Sequence, residues 1–106
     1  MANNLDFNKM QSLIDKMYSG DVGAIIEGLD HAGCLFRINA IISAYENDIH
    51  EKAVIERIKG LKTDEADVDS ISVGDYAKAV LHLYGIEKYD GTKKYVRHMI
   101  DSKMDI

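Results

Sequence analysis

Apolar residues recur every three or four positions through most of the chain, and the breaks between runs fall on small or polar turn residues. Leu5, Phe7, Met10, Leu13, Ile14 and Met17 trace one face of a first helix, which Ser19-Gly20 closes. Asp21 is placed to cap a second helix with the stripe Val22, Ile25, Ile26 and Leu29, and Ala32-Gly33 breaks it. A third helix runs from about Leu35 to Tyr45. Its apolar residues Leu35, Ile38, Ala40, Ile41, Ile42 and Tyr45 cover more than half the circumference, which predicts the most buried element. Asn47-Asp48 ends it. A fourth helix carries Ala53, Val54, Ile55, Ile58 and Leu61 inward, with Glu51, Lys52, Glu56, Arg57 and Lys59 on the wet side. The long polar stretch from Lys62 to Ser70 reads as a loop. Ser70 or Ser72 then caps a fifth helix from about Val73 to Tyr84, with Gly85 as its stop and Tyr76, Ala77, Val80, Leu81 and Tyr84 on its buried face. Tyr89-Asp90-Gly91 reads as a turn before a last helix, about Thr92 to Met104. Strand signals are weak, because no stretch sustains alternation. The pattern predicts an all-α fold of about six helices in antiparallel pairs, in a single domain over residues 1–106.

A repeat lies over this pattern. Phe36-Arg37-Ile38-Asn39-Ala40 opens one apolar stretch and Val73-Gly74-Asp75-Tyr76-Ala77 opens another. Phe36 and Val73 are 37 positions apart, as are Ala40 and Ala77. A period near ~40 residues with two helices in each is the signature of stacked helical hairpins. In these segments the chain resembles the HEAT-like helical repeats. The run from Ser72 to Gly85 is similar to the second helix of such a repeat, with a capped start, Val then Ala four on, Leu, and a closing Gly. Phe36-Arg37-Ile38-Asn39-Ala40 has the apolar-Arg-x-x-Ala opening of that helix. With their partner helices the two segments span Asp21 to Gly85. The resemblance implies an α-solenoid fragment, or a compact helical bundle of the same pairs, with the first and last helices as caps. Arg37 has no counterpart at Gly74, and the acidic insertion lengthens the link inside the second repeat.

Composition narrows the function. Of the 106 residues, 46% are hydrophobic and 29% charged, which is ordinary for a folded soluble domain. No apolar run reaches the roughly 18 residues of a membrane span, and the N-terminus shows neither the basic patch nor the apolar core of a signal peptide. A cytoplasmic location is the expectation. The single cysteine, Cys34, has no second cysteine to pair with, in keeping with a reducing compartment. The lack of proline suits an all-helical chain. A net charge of −5 repels phosphate backbones and attracts a basic partner. In size, acidity and single-domain build the chain looks like bacterial immunity proteins. That resemblance implies a cytoplasmic inhibitor that blocks a basic partner such as a nuclease toxin domain.

Several residues stand out as candidate sites. Asp64, Glu65, Asp67 and Asp69 place four carboxylates within six residues of a loop. They suit the docking of partner Lys or Arg, or simply a solvated loop that favours the helix start after it. Arg37 either pairs with a neighbouring acid such as Asp75 or Asp30, or faces outward and binds a partner carboxylate. Tyr84, Tyr89 and Tyr95 surround one turn. Tyr89 is the expected contact residue, while Tyr84 and Tyr95 can instead be core residues with hydroxyls at its boundary. The acidic stretch lacks the spacing of a calcium loop, and His31 with Cys34 lacks the further ligands of a zinc site. There is no nucleophile elbow and no phosphate-binding glycine loop. The residues therefore point to a protein-binding module with no cofactor, no metal and no catalytic centre. An adaptor, chaperone or regulatory subunit on the same fold is the alternative. A small enzyme would need His82 or His98 gathered with a carboxylate in a pocket.

Overall fold

The computed structural model describes residues 2–68 and 71–88. Five helices and one small sheet follow one another along them: α1 (Ala2–Tyr18), α2 (Val22–Leu29), α3 (Cys34–Glu46), α4 (Lys52–Gly60), β1 (Asp67–Val68), β2 (Ile71–Ser72) and α5 (Val73–Leu83). The side chains of Leu5 and Phe7 lie outside the described residues, as do Asp69, Tyr89 and the predicted helix from Thr92 to Met104.

Local chemistry sets the helix starts. Asp21 Oδ1 accepts from the Ala24 amide at 2.9 Å, which satisfies one of the donors at the start of α2. At α5 the cap is reciprocal. Ser72 Oγ accepts from the Asp75 amide, and Asp75 Oδ2 accepts from the Ser72 amide, each at 3.0 Å. The polar stretch before α5 differs from the expected loop. It forms a minimal antiparallel hairpin in which Asp67 pairs with Ser72 and Val68 with Ile71. Strands of two residues are too short for an alternating pattern to register, so periodicity missed them.

α2 packs against α3 and α4 against α5. Across the pairs, α2 lies on α4 and α3 on α5, while α1 covers α2 and α3. The repeat-related residues Phe36, Ala40, Val73 and Ala77 are all buried. Seven residues of α3 are buried, and so are seven of the shorter α5, so the two helices share the centre. Leu35 departs from its expected place in the core and is 52% exposed. It lies in the first turn of α3, beyond the reach of the helices that cover the rest of that face. Ala53 is likewise exposed on α4.

Two glycines permit close approach. A methyl group at Gly28 would overlap Met17 Sδ and sit 2.9 Å from Ala40 Cβ, so α1, α2 and α3 converge at this point because α2 carries no side chain there. At Gly74 a methyl would overlap the Lys62 carbonyl oxygen and sit 3.0 Å from that of Asp64. The first turn of α5 is thereby drawn onto the preceding chain. The Gly74 amide donates to the Asp64 carbonyl at 2.9 Å, and the Val73 amide to that of Ala66 at 2.8 Å. Gly74→Ala should lower the unfolding free energy by about 1–3 kcal/mol, the usual cost of overpacking against atoms with no room to move. Urea denaturation of the two proteins measures this, and an unchanged midpoint would show that the contact yields freely.

Candidate partner-binding face

The candidate face is built where the α2–α3 turn meets the hairpin. Arg37, in the first turn of α3, reaches Asp64 with Nε 2.9 Å from Oδ2. Its Nη1 donates to the carbonyls of His31 at 2.7 Å and Ala32 at 2.8 Å. Asp64 has a second role, because its Oδ1 accepts from the Ala66 amide at 3.0 Å and so shapes the turn into β1. Both side chains are mostly buried, at 14% and 20% exposure. Charge-assisted hydrogen bonds satisfy most of what burial removes from water. His31 closes the far side. Its ring stacks on Phe36 at 4.2 Å, and its Nδ1 accepts from the Gly33 amide at 2.9 Å.

This arrangement corrects the expected partners of Arg37. Asp30 pairs instead with Arg57 of α4, at 3.0 Å, and Asp75 belongs to the α5 capping box. Arg37 and Asp64, singled out for separate reasons, meet each other. The remaining acids of the stretch divide by position. Glu65 and Asp67 are exposed and take no cation among the described residues, whereas Asp69 falls outside them. The hairpin is held on two further sides. Cys34, half-buried at the start of α3, has its Sγ 3.9 Å from the Asp67 carbonyl oxygen. Lys62 Nζ reaches both carboxylate oxygens of Glu87, at 2.9 and 3.1 Å, and ties the hairpin stem to the chain beyond α5. The Lys62–Glu87 pair joins residues 25 apart in two connecting segments, and no sequence spacing marks such a pair.

Of the two described tyrosines with shifted hydroxyls, Tyr84 bears on the predicted aromatic cluster. It is half-buried, its hydroxyl donates to the Ile49 carbonyl at 2.8 Å, and its ring meets Tyr45 and His50 edge-on at 5.6 and 5.2 Å. It is therefore a core-boundary residue, and Tyr89 lies outside the described residues. Burial, reinforced by the nearby charge of Asp48, pushes the Tyr84 hydroxyl well above its ordinary value. Tyr18 is also raised, by burial first and then by Glu46, and its hydroxyl donates to Asn39 Oδ1. Among the described residues no group of three or more His, Cys, Asp or Glu could hold a metal, and no helix is long and apolar enough to cross a membrane.

Comparison with known proteins returns no matching family model, curated protein or solved structure.

Two predictions follow from this geometry. Arg37→Ala should destabilise by about 2 kcal/mol, between the small worth of a surface pair and the larger loss at a fully buried one. A double-mutant cycle with Asp64→Ala should show positive coupling by urea denaturation, and additive losses would refute the clamp. Tyr84 gives a pH signature. Below the ordinary tyrosine value of about 10, the hydroxyl is protonated in both states and its contribution is fully present. Above it the unfolded chain loses the proton first, so stability falls as pH rises. Tyr84→Phe should cost about 1 kcal/mol at neutral pH and flatten the alkaline decline, as read from denaturation midpoints across that range.

Proposed function

We propose that the chain is a protein-binding module of the immunity type, acting in the cytoplasm by covering a basic surface such as that of a nuclease toxin domain. The observation that carries this reading is the division of labour in the acidic stretch. Arg37 neutralises Asp64 and fixes the turn, while Glu65 and Asp67 stay exposed on a braced hairpin. Carboxylates on a fixed element draw in a cationic partner at long range and then meet its Lys or Arg groups with little ordering cost. The net charge of −5 adds to the same field. The HEAT-like reading of the fold draws support from the stacking of α2 on α4 and α3 on α5, like helix on like, with α1 as a cap. Inhibition then needs no chemistry from this chain, because occupying the partner's surface is sufficient.

The test is affinity capture from native lysate at low and at high salt, using the wild-type chain and a Glu65→Lys/Asp67→Lys variant. A basic nuclease or toxin domain should be retained by the wild type at low salt and released at high salt. With the purified pair, the variant should associate roughly tenfold more slowly, as expected when steering charge is reversed. An acidic partner, or one insensitive to both salt and the variant, would sink the inhibitor reading.

A further inference from the structure

Among the described residues four large apolar side chains are exposed, Met10, Tyr18, Leu35 and Ile86, and the first three lie along the seam where α1 packs on α3. Exposed apolar residues scattered singly need no explanation, whereas a run of them rimmed by polar groups marks a contact surface. Met10, half-buried Ile14 and Tyr18 follow at intervals of four on α1, so they share a row ~12 Å long. α3 supplies the other side. The Tyr18 hydroxyl donates to Asn39 Oδ1, and Asn39 Nδ2 donates to the Leu35 carbonyl one turn back, at 2.7 Å. Met10 and His31 line one cleft, which sets Met10 beside the turn that leads into α3. Met10 is 42% and Tyr18 39% exposed, next to the 52% of Leu35, so the apolar area here faces water.

The charges left unanswered beside Tyr18 and Leu35 are acidic. Asp15 lies one turn before Tyr18 on α1, and Glu46 is near enough to help raise the Tyr18 hydroxyl. Neither takes a cation among the described residues. Arg37 is neutralised by Asp64. Lys9 and Lys16 sit on the other flank of α1, where with Asp21 and Glu27 they line a cleft of about 490 Å³ between α1 and α2. Lys9 also reaches the Met10 end, and Glu27 is beside it there. At its Leu35 end the seam joins the hairpin, because the neighbouring Cys34 touches the Asp67 carbonyl.

We propose that this seam anchors a basic protein partner, whose apolar side chains cover Leu35, Met10 and Tyr18 while its Lys or Arg groups meet Glu65 and Asp67 at one end and Asp15 and Glu46 at the other. The proposal rests on the reading of the chain as a binder of basic surfaces, and it adds the contact that holds the partner after steering has delivered it. Charge complementarity selects this occupant. A second copy of the chain would set carboxylates against carboxylates, with a net charge of −5 on each side. The carboxylates act on the approach, and apolar area removed from water slows release.

The test titrates the full-length, isotope-labelled chain with three synthetic peptides of equal length, one of lysines and leucines, one of lysines and serines, and one of glutamates and leucines. The lysine–leucine peptide should shift the amide resonances of Met10, Tyr18, Leu35 and Asn39 and bind about tenfold tighter than either of the others, a difference of one decade in Kd. Leu35→Ser and Met10→Ser, each at an exposed side chain, should remove that advantage and leave the lysine–serine peptide bound as before. Glu65→Lys/Asp67→Lys should weaken both lysine peptides by a similar factor and preserve the preference for leucine. Equal binding of the two lysine peptides, with shifts confined to the hairpin, would overturn the seam and leave the inhibitor reading standing. Preference for the glutamate–leucine peptide would overturn both. Indifference to Leu35→Ser and Met10→Ser, or no shift along the seam at millimolar peptide, would also sink the proposal. So would concentration-dependent dimerisation with shifts along the seam, by making a second copy the occupant.

Discussion

The contact between Arg37 and Asp64 ties the first helical pair to the second, and the candidate site depends on it. One guanidinium holds the α2–α3 turn through two carbonyls and the stem of the hairpin through a carboxylate. Such a pair is mostly removed from water, so its charges cost free energy unless every polar group is answered. Here most of them are. Arg37 donates to three oxygens, and Asp64 also accepts from the Ala66 amide. The backbone of Asp64 finishes the junction by accepting from Gly74, the position that corresponds to Arg37 in the 37-residue echo. The two repeat-related positions thus meet at one residue. One contributes a long cation, and the other contributes the absence of a side chain.

The acidic stretch is therefore not uniform. Its first carboxylate belongs to the framework, and the next exposed ones project from a segment braced by Lys62–Glu87 and by contact with Cys34. A charged segment fixed in this way can present its field in one direction, which a solvated loop cannot do. The α1–α2 groove has the opposite electrostatic character, with walls of both signs.

Much of this was legible beforehand in particular residues. Asp21, and Ser70 or Ser72, marked helix starts because a short side-chain oxygen beside a free amide is a local device, and the structure puts the second cap on Ser72. The spacing of Leu13, Met17, Ile25 and Leu29 marked inward faces, and all four are buried. Leu35 was misread because periodicity shows a stripe but not how far its edge reaches past the neighbouring helices. The hairpin was misread because two-residue strands leave no period. Arg37 was singled out, but its partner was not, since Asp30, Asp64 and Asp75 are equivalent to any argument that lacks distances.

The sequence alone determined the helical class, the order of the five described helices and the cap at Asp21, because those follow from interactions within a few residues. It also determined the acidity of the chain and the echo between Phe36-Ala40 and Val73-Ala77. Only the tertiary structure decided which acid Arg37 neutralises, which carboxylates remain exposed, and why Gly74 carries no side chain. It also opened a groove of opposite charges between α1 and α2. Each of those outcomes turns on atoms brought within a few ångströms across long stretches of chain, and such distances exist only once the helices have packed.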